Sequence, residues 1–148
     1  MSPATIAVLF VLGAGIAAAI QVAVNGRLGA RIGTLEAATF QSLVGVSLFL
    51  VTTLALRGGL GGVFSGFKAP VWMWLGGAMG FVIISAITYA PSRISNLAVA
   101  GVLIAAQLLM AALIDAFGLF GFERLGLPWE RLAGIVLLAA GAALVLKR

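Results

Sequence analysis

Residues 97–120 read LAVAGVLIAAQLLMAALIDAFGLF, a run long and apolar enough to cross a bilayer, yet it holds Gln107 and Asp115. A spanning helix needs about 20 mostly apolar residues, so the stretch reads as a membrane helix. On that helix Asp115 lies about two turns beyond Gln107, roughly 12 Å along the axis. At about 100° per residue the two side chains stand roughly 80° apart, on one broad face with Ala111 and Ile114. A carboxylate among hydrocarbon costs about 2.5–3.5 kcal/mol or more and turns toward protein or water. The stretch therefore needs partners.

The rest of the chain agrees with a lipid solvent. Of its 148 residues 63% are hydrophobic and 9% charged, and the mean hydropathy is +1.23. Soluble domains are about half apolar and about a quarter charged. The net charge of +5 comes from single basic residues at the ends of oily runs, where they anchor to headgroups and set topology. Without a basic patch interleaved with aromatics, no nucleic-acid partner is expected. There is no cysteine and no histidine, which removes thiolate chemistry and the usual transition-metal sites. No cofactor or metal is expected. With no serine beside a plausible base and no paired carboxylates at workable spacing, the chain does not read as an enzyme.

Five spans follow, at about 4–24, 35–56, 70–90, 97–120 and 128–147, in a single membrane domain covering 1–148. The first has no Lys or Arg before it, so it lacks the charged start of a secretory signal and reads as a mature helix. Gly13, Ala17, Gln21 and Asn25 recur at every fourth position. That stripe suits close helix packing, or a polar cavity lined by Gln21 and Asn25. The link GRLGARIGT leads to the second span, where Glu36 falls in the first turn and suits the helix dipole. Gln41, well inside the second run, needs a hydrogen-bond partner. The link 57–69 has five glycines and Lys68 and reads as irregular or interfacial. Pro70 opens the third span, Trp72 and Trp74 mark headgroup level, Gly76 and Gly80 form a GxxxG face, and Pro91 stops it. Ser92–Asn96 makes spans three and four an antiparallel hairpin, and Pro128 and Trp129 start the fifth.

An odd number of spans puts the termini on opposite sides. One side holds Arg57, Lys68, Arg124, Arg131 and the terminal amine; the other holds Arg27, Arg31, Arg93, Lys147 and Arg148. Orientation follows the cytoplasmic excess of Lys and Arg, and here the two sides balance. The reading is dual topology, with two copies pairing antiparallel, against a weak bias or a partner chain that fixes one orientation. Within one chain Asp115 lies at the opposite depth from Gln21, Asn25, Gln41 and Arg27. An inverted second copy brings its Asp115 to their level. There Asp115 either locks the interface with Arg27 or Arg93 of the other copy, or meets a substrate cation or a coupling proton.

The same residues carry a family resemblance. QVAVNGRLGARIGTLEAATFQSLVG at 21–45, WMWLGGAMG at 72–80 and GVLIAAQLLMAALIDAFGLFG at 101–121 resemble, end to end, the YdcZ-like branch of the drug/metabolite transporter superfamily. The matching positions are Gln21, Asn25, Gln107 and Asp115, with Ala106 where a glycine often precedes the glutamine. The resemblance implies a bacterial inner-membrane protein whose relatives occur as five-helix singles, paired genes or fused ten-helix chains built from inverted halves. Four-helix multidrug relatives use a glutamate in the first helix. Here that helix has no acid between its ends, which argues against simple proton-coupled cation export unless Asp115 or Glu36 substitutes.

The expected protein is therefore all-α, with five membrane helices and an antiparallel homodimer forming a ten-helix assembly. The expected function is transport of a small molecule by alternating access at the inverted-dimer interface. The polar cavity would hold Gln21, Asn25, Gln41, Gln107 and Asp115, with Arg27, Arg93 and Glu36 as ion-pair or interface residues. The expected partners are the lipid bilayer, a second copy of the chain and an unspecified small substrate. The alternatives are a passive channel, or a non-transporting half-subunit or scaffold that needs a partner chain.

Overall fold

The computed structural model describes residues 2–126 and 128–146. Among them there is helix and connection but no strand. The long helices are α1 (Pro3–Ile32), α2 (Thr34–Arg57), α4 (Leu75–Tyr89), α5 (Asn96–Phe117) and α6 (Trp129–Leu146), with a one-turn α3 (Gly61–Ser65) in the glycine-rich link. Five helical segments are long and apolar enough to cross a membrane: Pro3–Ile32, Thr34–Arg57, Val71–Ser92, Asn96–Phe117 and Trp129–Leu146.

Three boundaries differ from the sequence expectation. The first helix does not stop near Val24 but continues through most of the GRLGARIGT link to Ile32. Nothing in NGRLGARI breaks a helix until Gly33, whose φ of 102° is open to glycine and strained for other residues. Gly33 N–H closes α1 on the Gly29 carbonyl (3.0 Å), and its own carbonyl accepts Ala37 N–H (3.0 Å) to open α2. One residue thus separates two spans. The fourth helix ends at Phe117 rather than Phe120, because Gly118 takes the left-handed cap (φ 63°) and donates its N–H to Ile114 O. The third span enters as a 3₁₀ turn over Val71–Trp74 before α4 begins at Leu75. Lys147, at the expected end of the fifth span, lies outside the described residues.

The chain divides into two compact units, Met1–Val22 with Arg93–Arg148, and Ala23–Ser92. In the first unit α5 and α6 form an antiparallel hairpin. Its start is capped by Ser95, whose hydroxyl accepts Ala98 N–H (3.2 Å). Glycine at 101 lets the helices approach: a Cβ there would sit 3.6 Å from Ala142 Cα. Ala98, Val99 and Ala142 are the buried residues of this pair. In the second unit the end of α1 lies against the end of α4, with Gly26 facing Pro91 and Gly29 facing Thr88 too closely to leave room for a Cβ. Ala37, Ala38 and Ile87 are buried beside them.

The buried apolar residues are mostly small, while the large ones point outward: Phe10 is 81% exposed, Phe49 77% and Leu56 77%. A soluble fold has the reverse pattern, since burying a large apolar side chain away from water is worth about 1.5–3 kcal/mol. In lipid no such drive exists between helices, and small residues that allow close backbone approach make the contacts instead. The glycines that meet another helical segment closely are Gly26, Gly29 and Gly101. Gly13, Gly76 and Gly80, which the sequence pattern favours, face open space within the chain.

Candidate functional site

Two hydroxyls in the spans are satisfied by their own helix. Ser42 donates to Ala38 O (2.8 Å) and Thr88 to Ile84 O (2.7 Å), the bond to the preceding turn that a short hydroxyl can reach. The amide and carboxylate side chains of the spans are the polar groups still to be placed. They mark the candidate site.

In the second unit Asn25 is 1% exposed, and neither its Oδ1 nor its Nδ2 has a partner. A buried polar group left unsatisfied costs about 1–3 kcal/mol, so this amide is held by the packing of its neighbours Gly26 and Gly29. Ser85 Oγ is also buried without a partner. It lies in a groove of about 270 Å³ between α2 and α4, with Thr39 and Ser42 on the opposite wall. Gln41 is half-buried and Arg27 exposed. Glu36, the third residue of α2, folds its carboxylate back over Gly33, where a negative charge is favoured at the helix start.

In the first unit Asp115 meets a residue that the sequence expectation did not assign to it. Arg131 Nη1 lies 3.8 Å from Asp115 Oδ2, with the two side chains 51% and 40% exposed respectively. The turn between α5 and α6 makes this register. Leu125 N–H returns to Asp115 O (2.9 Å), and Arg124 Nε donates to Phe117 O (3.2 Å). Asp115 is the third-last residue of α5 and Arg131 the third of α6, so in an antiparallel hairpin they fall level. That symmetry about the turn depends on α5 ending at Phe117, so the span expected to run to Phe120 did not reveal it. Below the pair is a groove of about 280 Å³ lined by Leu108, Ala111, Ala112, Gly134, Ile135 and Leu138. At the other end of the hairpin Arg93 borders a cleft of about 190 Å³ with Ser95, Ala98 and Val145.

Gln21 on α1 and Gln107 on α5 are exposed. Within each unit, then, the structure joins Asp115 to Arg131. Asn25 has no side-chain hydrogen bond in this state.

A family model described as "Putative inner membrane exporter, YdcZ" matches residues 6–144, nearly the whole chain. The chain belongs to the YdcZ family. Its five apolar helices are those of a multi-pass inner-membrane protein. The match reaches into all five spans and includes the positions of Gln21, Asn25, Gln107, Asp115 and Arg131. Comparison with curated proteins and with solved structures gave no match.

Proposed function

We propose that this YdcZ protein is a drug/metabolite-type exporter that works as an antiparallel homodimer. Ten helices from two opposed copies then enclose a central polar cavity, each chain contributing one membrane domain. The observation that carries the reading is the exposure of Gln107 in the middle of α5 and of Gln21 in α1. An amide cannot remain against hydrocarbon without a partner, so these faces need cover, and we assign it to a second copy. Inversion supplies it: Asp115 of one copy reaches the depth of Gln21, Gln41 and Arg27 of the other. Asn25 and Gln107 line the same cavity, while Arg93 and Glu36 serve the ends of the interface. Rocking of one copy against the other exposes the cavity to each side in turn. Asn25, buried and unpartnered in this state, gains a partner when α1 moves.

The balanced basic residues support insertion in both orientations. The absence of native cysteine makes the test clean. A single cysteine is placed at Ser65 and, separately, at Ser92, and intact cells are labelled with an impermeant maleimide. About half-maximal labelling at both positions is expected of a dual-topology pair. Full labelling at one and none at the other refutes it. Export itself is tested by efflux from cells with and without the chain, where Asp115→Asn should keep the dimer and abolish efflux.

A further inference from the structure

The Asp115–Arg131 pair is a poor lock. A charge-assisted hydrogen bond between such groups is about 2.7–2.9 Å long; this contact is 3.8 Å, through one nitrogen and one oxygen, and both side chains are 40% or more exposed. Most of their hydrogen-bonding capacity is therefore unused. The hairpin is held together elsewhere, by the close approach at Gly101 and Ala142. What the pair does have is a groove beneath it. From Asp115 the lining runs back along α5 through Ala112 and Ala111 to Leu108, and along α6 through Gly134 and Ile135 to Leu138. The charges sit at one end and the walls are apolar. At about 280 Å³ it lies just below the 300–1,000 Å³ range of drug-sized sites.

We propose that this groove binds the exported substrate and that the substrate is a small apolar zwitterion, whose ammonium takes Asp115, whose carboxylate takes Arg131, and whose apolar part lies against Ala111, Ala112 and Leu138. The proposal rests on the export reading above and gives it a substrate class. The argument is one of charge replacement. Binding has to open the ion pair. A cation would satisfy Asp115 and leave Arg131 without a carboxylate; an anion would do the opposite, and either gives up the attraction within the pair for a single new contact. A neutral ligand would strand both. A zwitterion alone replaces both partners at once. It also leaves the site neutral whether empty or loaded, so carrying it across moves no net charge against the membrane potential.

The test uses the full wild-type chain in lipid nanodiscs and measures saturable binding of three probes: L-leucine, leucinamide (cation only) and N-acetyl-leucine (anion only). L-leucine should bind, with each single-charge analogue about tenfold weaker or worse. Asp115→Asn should erase the preference over N-acetyl-leucine, and Arg131→Gln the preference over leucinamide. A pair that only braces the hairpin would weaken all three probes alike, which overturns the proposal. Gly134→Leu gives a variant independent of the charges. A Cβ at Gly134 meets nothing within 4 Å, so a side chain can start there, and a leucine occupying the groove should abolish binding while the helical content by circular dichroism is kept. Equal binding of the three probes by wild type, or none by L-leucine, also overturns it. So does displacement of L-leucine by short-chain phosphatidylethanolamine at lower concentration, which would make the groove a lipid site. The two readings fail separately. L-leucine binding without efflux would sink export and leave the site. Efflux of another compound by a chain that ignores L-leucine would do the reverse.

Discussion

At the scale of single residues, Asn25 is the least comfortable side chain in the structure. Its amide is buried and both polar atoms are unpartnered, so removing it should not weaken this state. We expect Asn25→Val to leave thermal stability in detergent unchanged or to raise it by about 1 kcal/mol, while efflux is lost. A fall in stability with efflux intact would show that the amide is only structural. Ser95 makes the opposite case. Its hydroxyl caps α5 through Ala98 N–H, and Ser95→Ala should cost about 1 kcal/mol by thermal unfolding.

Individual helices are set by where the chain is allowed to turn. Gly33 separates α1 from α2 with a positive φ of 102°, and a side chain there would also run into the carboxylate of Glu36. Gly33→Ala should therefore destabilise by about 1–2 kcal/mol. The close approach of α1 to α4 makes a second, stronger demand. At Gly29 an added side chain meets Thr88, including its backbone carbonyl, and Gly29→Val should cost about 1–3 kcal/mol through overpacking. Helical content by circular dichroism should hold in both variants while the melting temperature falls. That outcome separates lost packing from a broken helix.

For the whole molecule, the glycine face of the third span bears on how two copies pack. Gly76 and Gly80 form a GxxxG face, yet within the chain a Cβ at either meets nothing. In the proposed homodimer such a face is free to pack against the other copy. The double substitution Gly76→Leu and Gly80→Leu should then leave the monomer stable and lower the dimer fraction, by about tenfold in association constant, as read by native mass spectrometry. An unchanged dimer would remove this face from the interface.

The sequence by itself determined the class of protein, the five spans and the polar residues that need explaining, because apolar length and the cost of polar groups in lipid are local properties of the chain. QVAVN near the end of α1 and the aspartate in LIDAF on α5 were legible for the same reason. Only the tertiary structure decided that α1 runs on to Ile32, since a glycine-bearing helical stretch and a link look alike until their neighbours are present. Only it chose Gly26, Gly29 and Gly101 over Gly76 and Gly80 as the close contacts. It also brought Arg131 to Asp115. Periodicity says which residues share a helix face, while the length and fold of the 118–128 turn set which residue of the next helix arrives opposite.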